Sequence, residues 1–209
     1  MKKSYIVVSF IACLLCAGRT KRIRNNVEAE AMNYADIKRV DVANGPGVRV
    51  SLFVSGCTHK CKNCFNPETW NFNYGSPFTV HTEEEILAYM EPDYIKGITL
   101  LGGEPLEPEN QEGLLPLLRK IKERFPEKTI WCFTGYLFDE DIQGKMWEQC
   151  PYTKEFMSYI DVLVDGEYIE EQKDLGLRFK GSANQRTILV KESLKENRIV
   201  EYDLTKDTL

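Results

Sequence analysis

Short apolar runs alternate along most of the chain with longer segments of helical character. Six short runs have the length and the β-branched or alternating pattern of strands, at positions 36–42, 48–54, 98–101, 129–133, 160–164 and 186–190. Segments 109–125 and 139–149 are predicted to be helices, and Thr82 with Glu85 predicts a capping box that opens a helix running to about Tyr89. Strands that alternate with helices predict an α/β domain with a largely parallel sheet.

The composition is that of one globular domain. The chain has 209 residues, of which 43% are apolar and 28% are charged, enough to bury a sizeable core. A net charge of −5 offers no basic surface to nucleic-acid phosphates, so no nucleic-acid partner is expected. The charge is uneven, because residues 1–31 hold six Lys or Arg against two Asp or Glu, and the remainder holds 21 against 30.

Three of the seven cysteines form a dense C-x3-C-x2-C group at Cys57, Cys61 and Cys64, directly after the strand-like run 48–54. An odd number of cysteines argues against a fully paired disulfide framework. Three thiolates on one loop suit a soft metal centre, and a four-iron cluster held by three cysteines leaves one iron open to a substrate or cofactor. Cys132 and Cys150 have no neighbour at ligand spacing and are interpreted as small buried hydrophobes.

The alternative is a structural zinc knuckle in which His59 or His81 supplies the fourth ligand. His59 lies midway between two of the cysteines, which makes simultaneous tetrahedral ligation awkward. We therefore favour the iron–sulfur interpretation and expect both histidines at the surface or beside the metal ligands rather than among them. Colour separates the two, because an anaerobically purified iron–sulfur protein is brown and a zinc protein is colourless.

The N-terminus has the features of a secretory signal, which conflicts with a reduced metal centre. Lys2 and Lys3 precede an apolar run of fourteen residues, 5–18, too short to cross a bilayer comfortably. Export would carry an oxygen-sensitive cluster into an oxidising space. We predict that residues 1–31 are an extension outside the domain, either a mis-assigned start or an appendage, with a functional signal as the alternative. The domain is predicted to span 32–190, followed by a charged tail at 191–209, in a cytoplasmic protein without a membrane partner.

The cysteine group resembles the cluster motif of the radical S-adenosylmethionine (SAM) enzymes. The match is closer to one family of glycyl-radical-enzyme activases, the activating proteins of anaerobic ribonucleoside-triphosphate reductases. The blocks that carry this resemblance follow in the right order, at 44–49, 51–57, 64–70, 102–106, 131–136, 161–166 and 181–186. The resemblance runs from about Met32 to about Leu189.

The resemblance implies a fold and a set of site residues. The fold would be a shortened, open TIM-like (β/α) partial barrel with a largely parallel sheet, and the chemistry would lie at the carboxyl ends of its strands. The three cysteines would hold a 4Fe-4S cluster. The residues implied to contact SAM are Asn63, Cys64, Phe65, Gly102, Gly103 and Glu104. Trp131, Thr134, Tyr136 and Asp165 are either pocket or core residues, and no role follows for Arg49 or for 181–186.

The resemblance also implies a reaction. One electron from a flavodoxin-like reductant would enter the cluster, which would cleave SAM into methionine and a 5′-deoxyadenosyl radical. That radical would take a hydrogen from a glycine Cα in the large subunit of the anaerobic reductase. The alternatives are another radical SAM enzyme, such as a pyruvate formate-lyase activase, and a non-catalytic zinc-binding module.

Overall fold

The computed structural model describes residues 32–204, which form a mixed α/β fold with a seven-stranded, mostly parallel sheet and five α-helices within that range. The strands are β1 (Asn33–Asp41), β2 (Val48–Val54), β3 (Ser76–Pro77), β4 (Ile95–Gly102), β5 (Thr129–Phe133), β6 (Val162–Asp165) and β7 (Arg186–Leu189). Two predicted strands, 48–54 and 129–133, have the predicted bounds. The expectation about residues 1–31 concerns a segment outside the described residues.

The sheet has the strand order β3-β1-β2-β4-β5-β6-β7. Neighbours β2, β4, β5 and β6 run parallel, whereas β3, β1 and β7 are antiparallel to their neighbours. The order is linear, with β3 and β7 at the two edges. The four parallel strands therefore bring their carboxyl ends to one edge of the sheet, where the loops that follow them can meet.

The helices are α1 (Val80–Met90), α2 (Pro108–Arg124), α3 (Trp147–Gln149), α4 (Thr153–Tyr159) and α5 (Val190–Glu196). A π-helix spans Phe138–Met146 and continues into α3, so the helix predicted over 139–149 is present in a wider winding. The predicted capping box was wrong by one turn. The backbone N–H of Thr82 bonds the side chain of Thr79, and the Thr82 hydroxyl accepts from Thr79 in return. None of the helices within 32–204 is long and apolar enough to cross a membrane.

The helices cover one face of the sheet. Alternate strand residues such as Leu52, Leu100 and Cys132 are fully buried in the core that they form with the helices. On the other face the cover is partial. Trp131 packs there with Tyr202 at 5.8 Å between ring centroids, so the described part of the predicted tail packs back onto the sheet.

Candidate cofactor site

The cysteine loop begins where β2 ends and closes on itself. Gly56 donates to the carbonyl of Thr69 at 2.7 Å, and Cys57 donates to that of Trp70 at 3.3 Å, so the 3₁₀ turn Pro67–Trp70 lies against the first cysteine. Lys60 and Asn63 have φ angles of 53° and 56°. Left-handed backbone is costly for residues other than glycine. The loop therefore contains two energetically unfavourable backbone conformations, one immediately before Cys61 and one immediately before Cys64, and these turn the chain.

All three cysteines line one cavity of about 540 Å³ at the carboxyl ends of the parallel strands. This volume lies within the range of about 300–1,000 Å³ that small-molecule sites occupy. The apolar part of its wall includes Phe53, Leu101 and Phe133. The three thiols are free and half-buried. Among residues 32–204, however, no three His, Cys, Asp or Glu side chains are already gathered in metal-ligand geometry, so the thiols share a cavity without converging on a point.

The donor set fits an iron–sulfur cluster. Three thiols on a turning loop supply soft ligands, and the adjoining cavity leaves room beside them. The backbone N–H of Asn66 lies 3.4 Å from Cys64 Sγ, a contact of the kind that modulates cluster potentials. Burial and then the nearby Glu104 carboxylate raise the pKa of Cys57 to about 12. The metal-free thiol is therefore neutral at physiological pH, and metal binding must release its proton.

Glu104, in the Gly-Gly-Glu-Pro turn after β4, is buried and bonded on both carboxylate oxygens. Its Oε1 accepts from the Leu106 backbone and from the Thr134 hydroxyl, each at 2.8 Å. Its Oε2 accepts from the Gly135 backbone at 2.8 Å and lies 3.0 Å from His59 Nε2. Glu104 therefore ties together the ends of β2, β4 and β5.

A second buried carboxylate holds the same part of the cysteine loop. Glu107, at the start of α2, accepts from the backbone N–H of Thr58 at 2.8 Å and from its hydroxyl at 2.6 Å. The sequence offered no signal for this role, since an acidic residue before a helix is ordinary there. Two glutamates from one turn thus anchor two consecutive residues of the cysteine loop.

The side chain of His59 is more buried than that of a surface residue. Its side chain is 10% exposed, with Nε2 on Glu104 and Nδ1 at 2.9 Å from Glu167 Oε1. Its ring lies edge-on to Tyr136 at 4.4 Å, and a Cβ on Gly135 would approach it to 2.7 Å. Burial lowers the pKa of His59, but the two carboxylates outweigh burial and raise it to about 9. Both ring nitrogens are thus engaged.

The histidines do not complete a zinc site in this arrangement. His59 uses its nitrogens on carboxylates, and His81 is exposed on α1 and does not line the cavity. His59 therefore lies beside the cysteines and contacts Glu104 and Glu167, whereas His81 lies at the surface.

Five of the six residues expected to contact SAM line the cavity, namely Cys64, Phe65, Gly102, Gly103 and Glu104. Asn63 is exposed and is not among the lining residues. Phe65 is 61% exposed and packs on Tyr168 at 5.0 Å between ring centroids.

Gly103 lies against the cysteine loop itself. Its N–H donates to the Val54 carbonyl at 2.7 Å, and the next residue, Glu104, donates to the Gly56 carbonyl at 2.8 Å. A Cβ at Gly103 would approach the Gly56 carbonyl oxygen to 2.5 Å. A side chain at Gly103 would therefore press on the backbone that leads into Cys57. The positive φ of 105° belongs to Gly102, its neighbour.

The residues left open between pocket and core divide between the two. Thr134 lines the cavity, Trp131 is packed in the sheet, and Tyr136 contacts His59. Asp165 is fully buried and accepts from Arg186 Nε at 2.9 Å.

The segment 181–186 is held by its own polar network. Gln185 accepts from the Gly181 backbone at 2.8 Å and donates to the Gly166 carbonyl at 2.9 Å. Both Gln185 and Gly181 line the cavity. The block therefore forms a turn that closes one side of the cavity, beside the ion pair between the buried Asp165 and the half-buried Arg186.

A loop with three cysteines at the carboxyl edge of parallel strands, beside a cavity and a glycine turn, defines a single-cluster iron–sulfur site. Residues 43–188 match the family described as a 4Fe-4S single cluster domain.

Similar proteins are the anaerobic ribonucleoside-triphosphate reductase-activating proteins of Enterobacteria phage T4, Vibrio cholerae and Escherichia coli K12. The phage protein is 45% identical over 157 residues, covering 74% of this chain and 92% of the relative. The Vibrio protein is 44% identical over 158 residues, and the Escherichia protein 42% over 156; each match covers 74% of this chain and 96% of the relative. The chain belongs to this family of anaerobic ribonucleoside-triphosphate reductase-activating proteins.

Proposed function

We propose that the chain is a radical SAM activase that generates a glycyl radical on an anaerobic ribonucleoside-triphosphate reductase. One observation carries the proposal: Cys57, Cys61 and Cys64 line the same cavity as the Gly102-Gly103 turn, at the ends of two neighbouring parallel strands. A metal tripod and a bare backbone surface thus face the same space. The names of the related proteins support the reductase as the partner.

Each part of the site has a role in this proposal. Cys57, Cys61 and Cys64 hold a 4Fe-4S cluster, which when bound supplies the electron that cleaves SAM. The glycine turn lets the methionine part of SAM approach the backbone. Phe53, Leu101 and Phe133 give the cavity an apolar wall that excludes water from a reactive radical.

We infer that the sheet is a shortened, open equivalent of a TIM-like barrel. The parallel strands β2, β4, β5 and β6 form its centre, and the cavity extends along their open face to Lys38 and Asn44, beyond the cysteine loop. Such a space can admit a peptide of the partner as well as SAM. The electron comes from a flavodoxin-like reductant, and the reaction takes place in the cytoplasm.

The test is to mix the anaerobically reconstituted chain with SAM, a one-electron reductant and the large reductase subunit. We expect an electron paramagnetic resonance signal of a glycyl radical, together with methionine and 5′-deoxyadenosine. The matched control replaces the partner's radical-bearing glycine by alanine, which removes the radical signal. A brown, SAM-cleaving chain that activates only a pyruvate formate-lyase would overturn the choice of partner, and a colourless zinc-loaded chain would overturn the activity itself.

A further inference from the structure

His59 has no ligand role in the site, yet its side chain is largely buried and contacts two other loops. It lies between Cys57 and Cys61 and is 10% exposed. One ring nitrogen contacts the turn after β4, through Glu104, and the other contacts the loop after β6, through Glu167. The residue pairs are separated by 45 and 108 positions in sequence, so each contact joins distant parts of the chain.

The carboxylate of Glu104 has no capacity left for another donor. An ionised carboxylate offers about four lone-pair sites. Glu104 fills them with two donors on each oxygen: Leu106 and Thr134 on one, Gly135 and His59 on the other. The residue is 1% exposed. An incoming amino group could bind this carboxylate only by displacing one of the four.

We propose that His59 is a positioning residue, which acts through Glu104 to fix the cysteine loop on the Gly-Gly-Glu-Pro turn. Glu104 then uses its carboxylate to hold the loop rather than to bind the amino group of SAM, and that turn offers SAM its backbone alone. The inference deepens the proposed function, on which it rests through the three cysteine ligands.

The neighbouring contacts show why the anchor falls at this residue. Thr58 is bonded twice to Glu107, so the stretch between Cys57 and Cys61 is held at two consecutive positions. Gly135 leaves the slot for the imidazole, since a Cβ there would approach the ring to 2.7 Å. Fixing ligands before metal arrives raises metal affinity, and loss of such an outer contact costs about 10–100-fold.

Two substitutions separate the two arms of His59. In His59→Gln the side-chain amide can reach the position of Nε2 and keep the Glu104 contact. In His59→Asn the shorter amide can reach only the position of Nδ1, toward Glu167. The two variants differ by one methylene, and His81→Asn, at an exposed position on α1, serves as the control.

The experiment measures the rate at which an iron chelator strips the cluster from the anaerobically reconstituted full chain, and the melting temperature of the metal-free chain. We expect His59→Asn to lose iron about 10–100-fold faster than the unsubstituted chain, with His59→Gln and His81→Asn close to the unsubstituted rate. Equal rates for the Gln and Asn variants, or iron loss that simply follows a fall in melting temperature, would overturn the inference. Failure of the unsubstituted chain to hold any cluster would instead overturn the proposed function.

Discussion

Two of the buried charged groups, Arg49 and Glu104, lie near opposite ends of the parallel strands and are satisfied in different ways. Arg49, near the start of β2, is 1% exposed and donates to the Thr99 hydroxyl, the Ile98 carbonyl, and both the hydroxyl and the carbonyl of Thr129. All of these partners lie in strands of the same sheet. Glu104, after β4, is equally buried but is bonded by residues of the loops that surround the cavity.

The two buried charges therefore connect different parts of the structure. At the amino end the charge joins strands β2, β4 and β5, and none of its hydrogen bonds goes to the cysteine loop. At the carboxyl end the charge joins the cysteine loop to the loops after β4 and β5. Changes at the first end should therefore act on stability, and changes at the second should act on the cofactors.

The largest effect should come from the cysteine loop itself. Replacing Cys57, Cys61 or Cys64 by alanine should abolish cluster retention and SAM cleavage, because each thiolate would hold one iron. Cys132→Ala is the matched control, since Cys132 is fully buried in the helix-covered core and is remote from ligand spacing. Iron content after reconstitution decides the matter. A Cys61 variant that kept its cluster while a Cys132 variant lost it would reverse the assignment.

Gly103→Val should have the next largest effect on cofactor binding, and it tests the link between the glycine turn and the cysteine loop. The added Cβ would meet the Gly56 carbonyl oxygen at 2.5 Å, so the backbone that leads into Cys57 must shift. We expect the substitution to lower the free energy of unfolding by about 1–3 kcal/mol, as at other overpacked sites. We also expect it to weaken SAM binding and to reduce cluster retention.

Gly176→Ala is the control for that substitution, because its Cβ would meet nothing closer than an Asp174 side-chain oxygen at 3.2 Å. Calorimetric titration with SAM and an iron assay measure the two effects. Weak SAM binding with full cluster retention would mean that the turn and the loop respond independently.

The sequence predicts which residues give the site its chemistry better than it predicts the contacts that those residues make. Cysteine spacing is local, so Cys57, Cys61 and Cys64 could be predicted as a group before any fold was known. The roles of His59 and Glu104 depend on contacts across 45 positions, which no local pattern encodes. The same limit applies to the strands, since β2 was predicted by its apolar run but its partners were not.

The start of helix α1 was predicted incorrectly, because two threonines near it could each supply the cap. The sequence pattern predicts Thr82 as the residue before the helix, but Thr82 is the third helical residue, and Thr79 supplies the cap. Both positions are threonine, so composition alone does not separate them. Helix α4 was not predicted, and its seven residues give too short a window for helical spacing to show.

Arg49→Met tests the amino end of the sheet. It removes four donated hydrogen bonds inside the sheet, including those to the Ile98 and Thr129 carbonyls, for a cost of about 3–5 kcal/mol in the free energy of unfolding. The cysteine loop keeps its own contacts, so the fraction of chain that is folded should retain the cluster. Chemical denaturation and iron content per folded chain measure the two. Cluster loss from a fully folded Arg49→Met chain would erase the distinction between the ends.

The smallest effect should come from an ion-pair network at the amino edge. Asp161 lies 2.7 Å from Lys122 and 2.5 Å from Lys191. Burial alone would raise the pKa of Asp161, but bonds from these lysines and from the Ile130 backbone hold it below its ordinary value of 3.8. A lowered acid pKa stabilises the fold above 3.8, and this contribution is lost as the pH falls below that value.

Asp161→Asn should therefore lower the melting temperature of the metal-free chain near pH 5 and should narrow the difference between pH 5 and pH 3. Asp36→Asn is the control, because within residues 32–204 the Asp36 carboxylate accepts a hydrogen bond only from the adjacent backbone N–H of Ile37. A variant whose melting temperature falls with acid as steeply as that of the unsubstituted chain would show that Asp161 does not contribute to acid sensitivity.

We propose that the cysteine loop and the glycine turn form one site for a cluster and SAM. The most direct measurement is the electron paramagnetic resonance spectrum of the reduced, reconstituted chain before and after SAM is added. A cluster with one open iron beside the cavity should change its spectrum when SAM coordinates that iron. Gly176→Ala should keep this change, whereas the cluster that Gly103→Val retains should show less of it at the same SAM concentration. A reduced cluster whose spectrum is the same with and without saturating SAM would show that the cluster and SAM do not share this site.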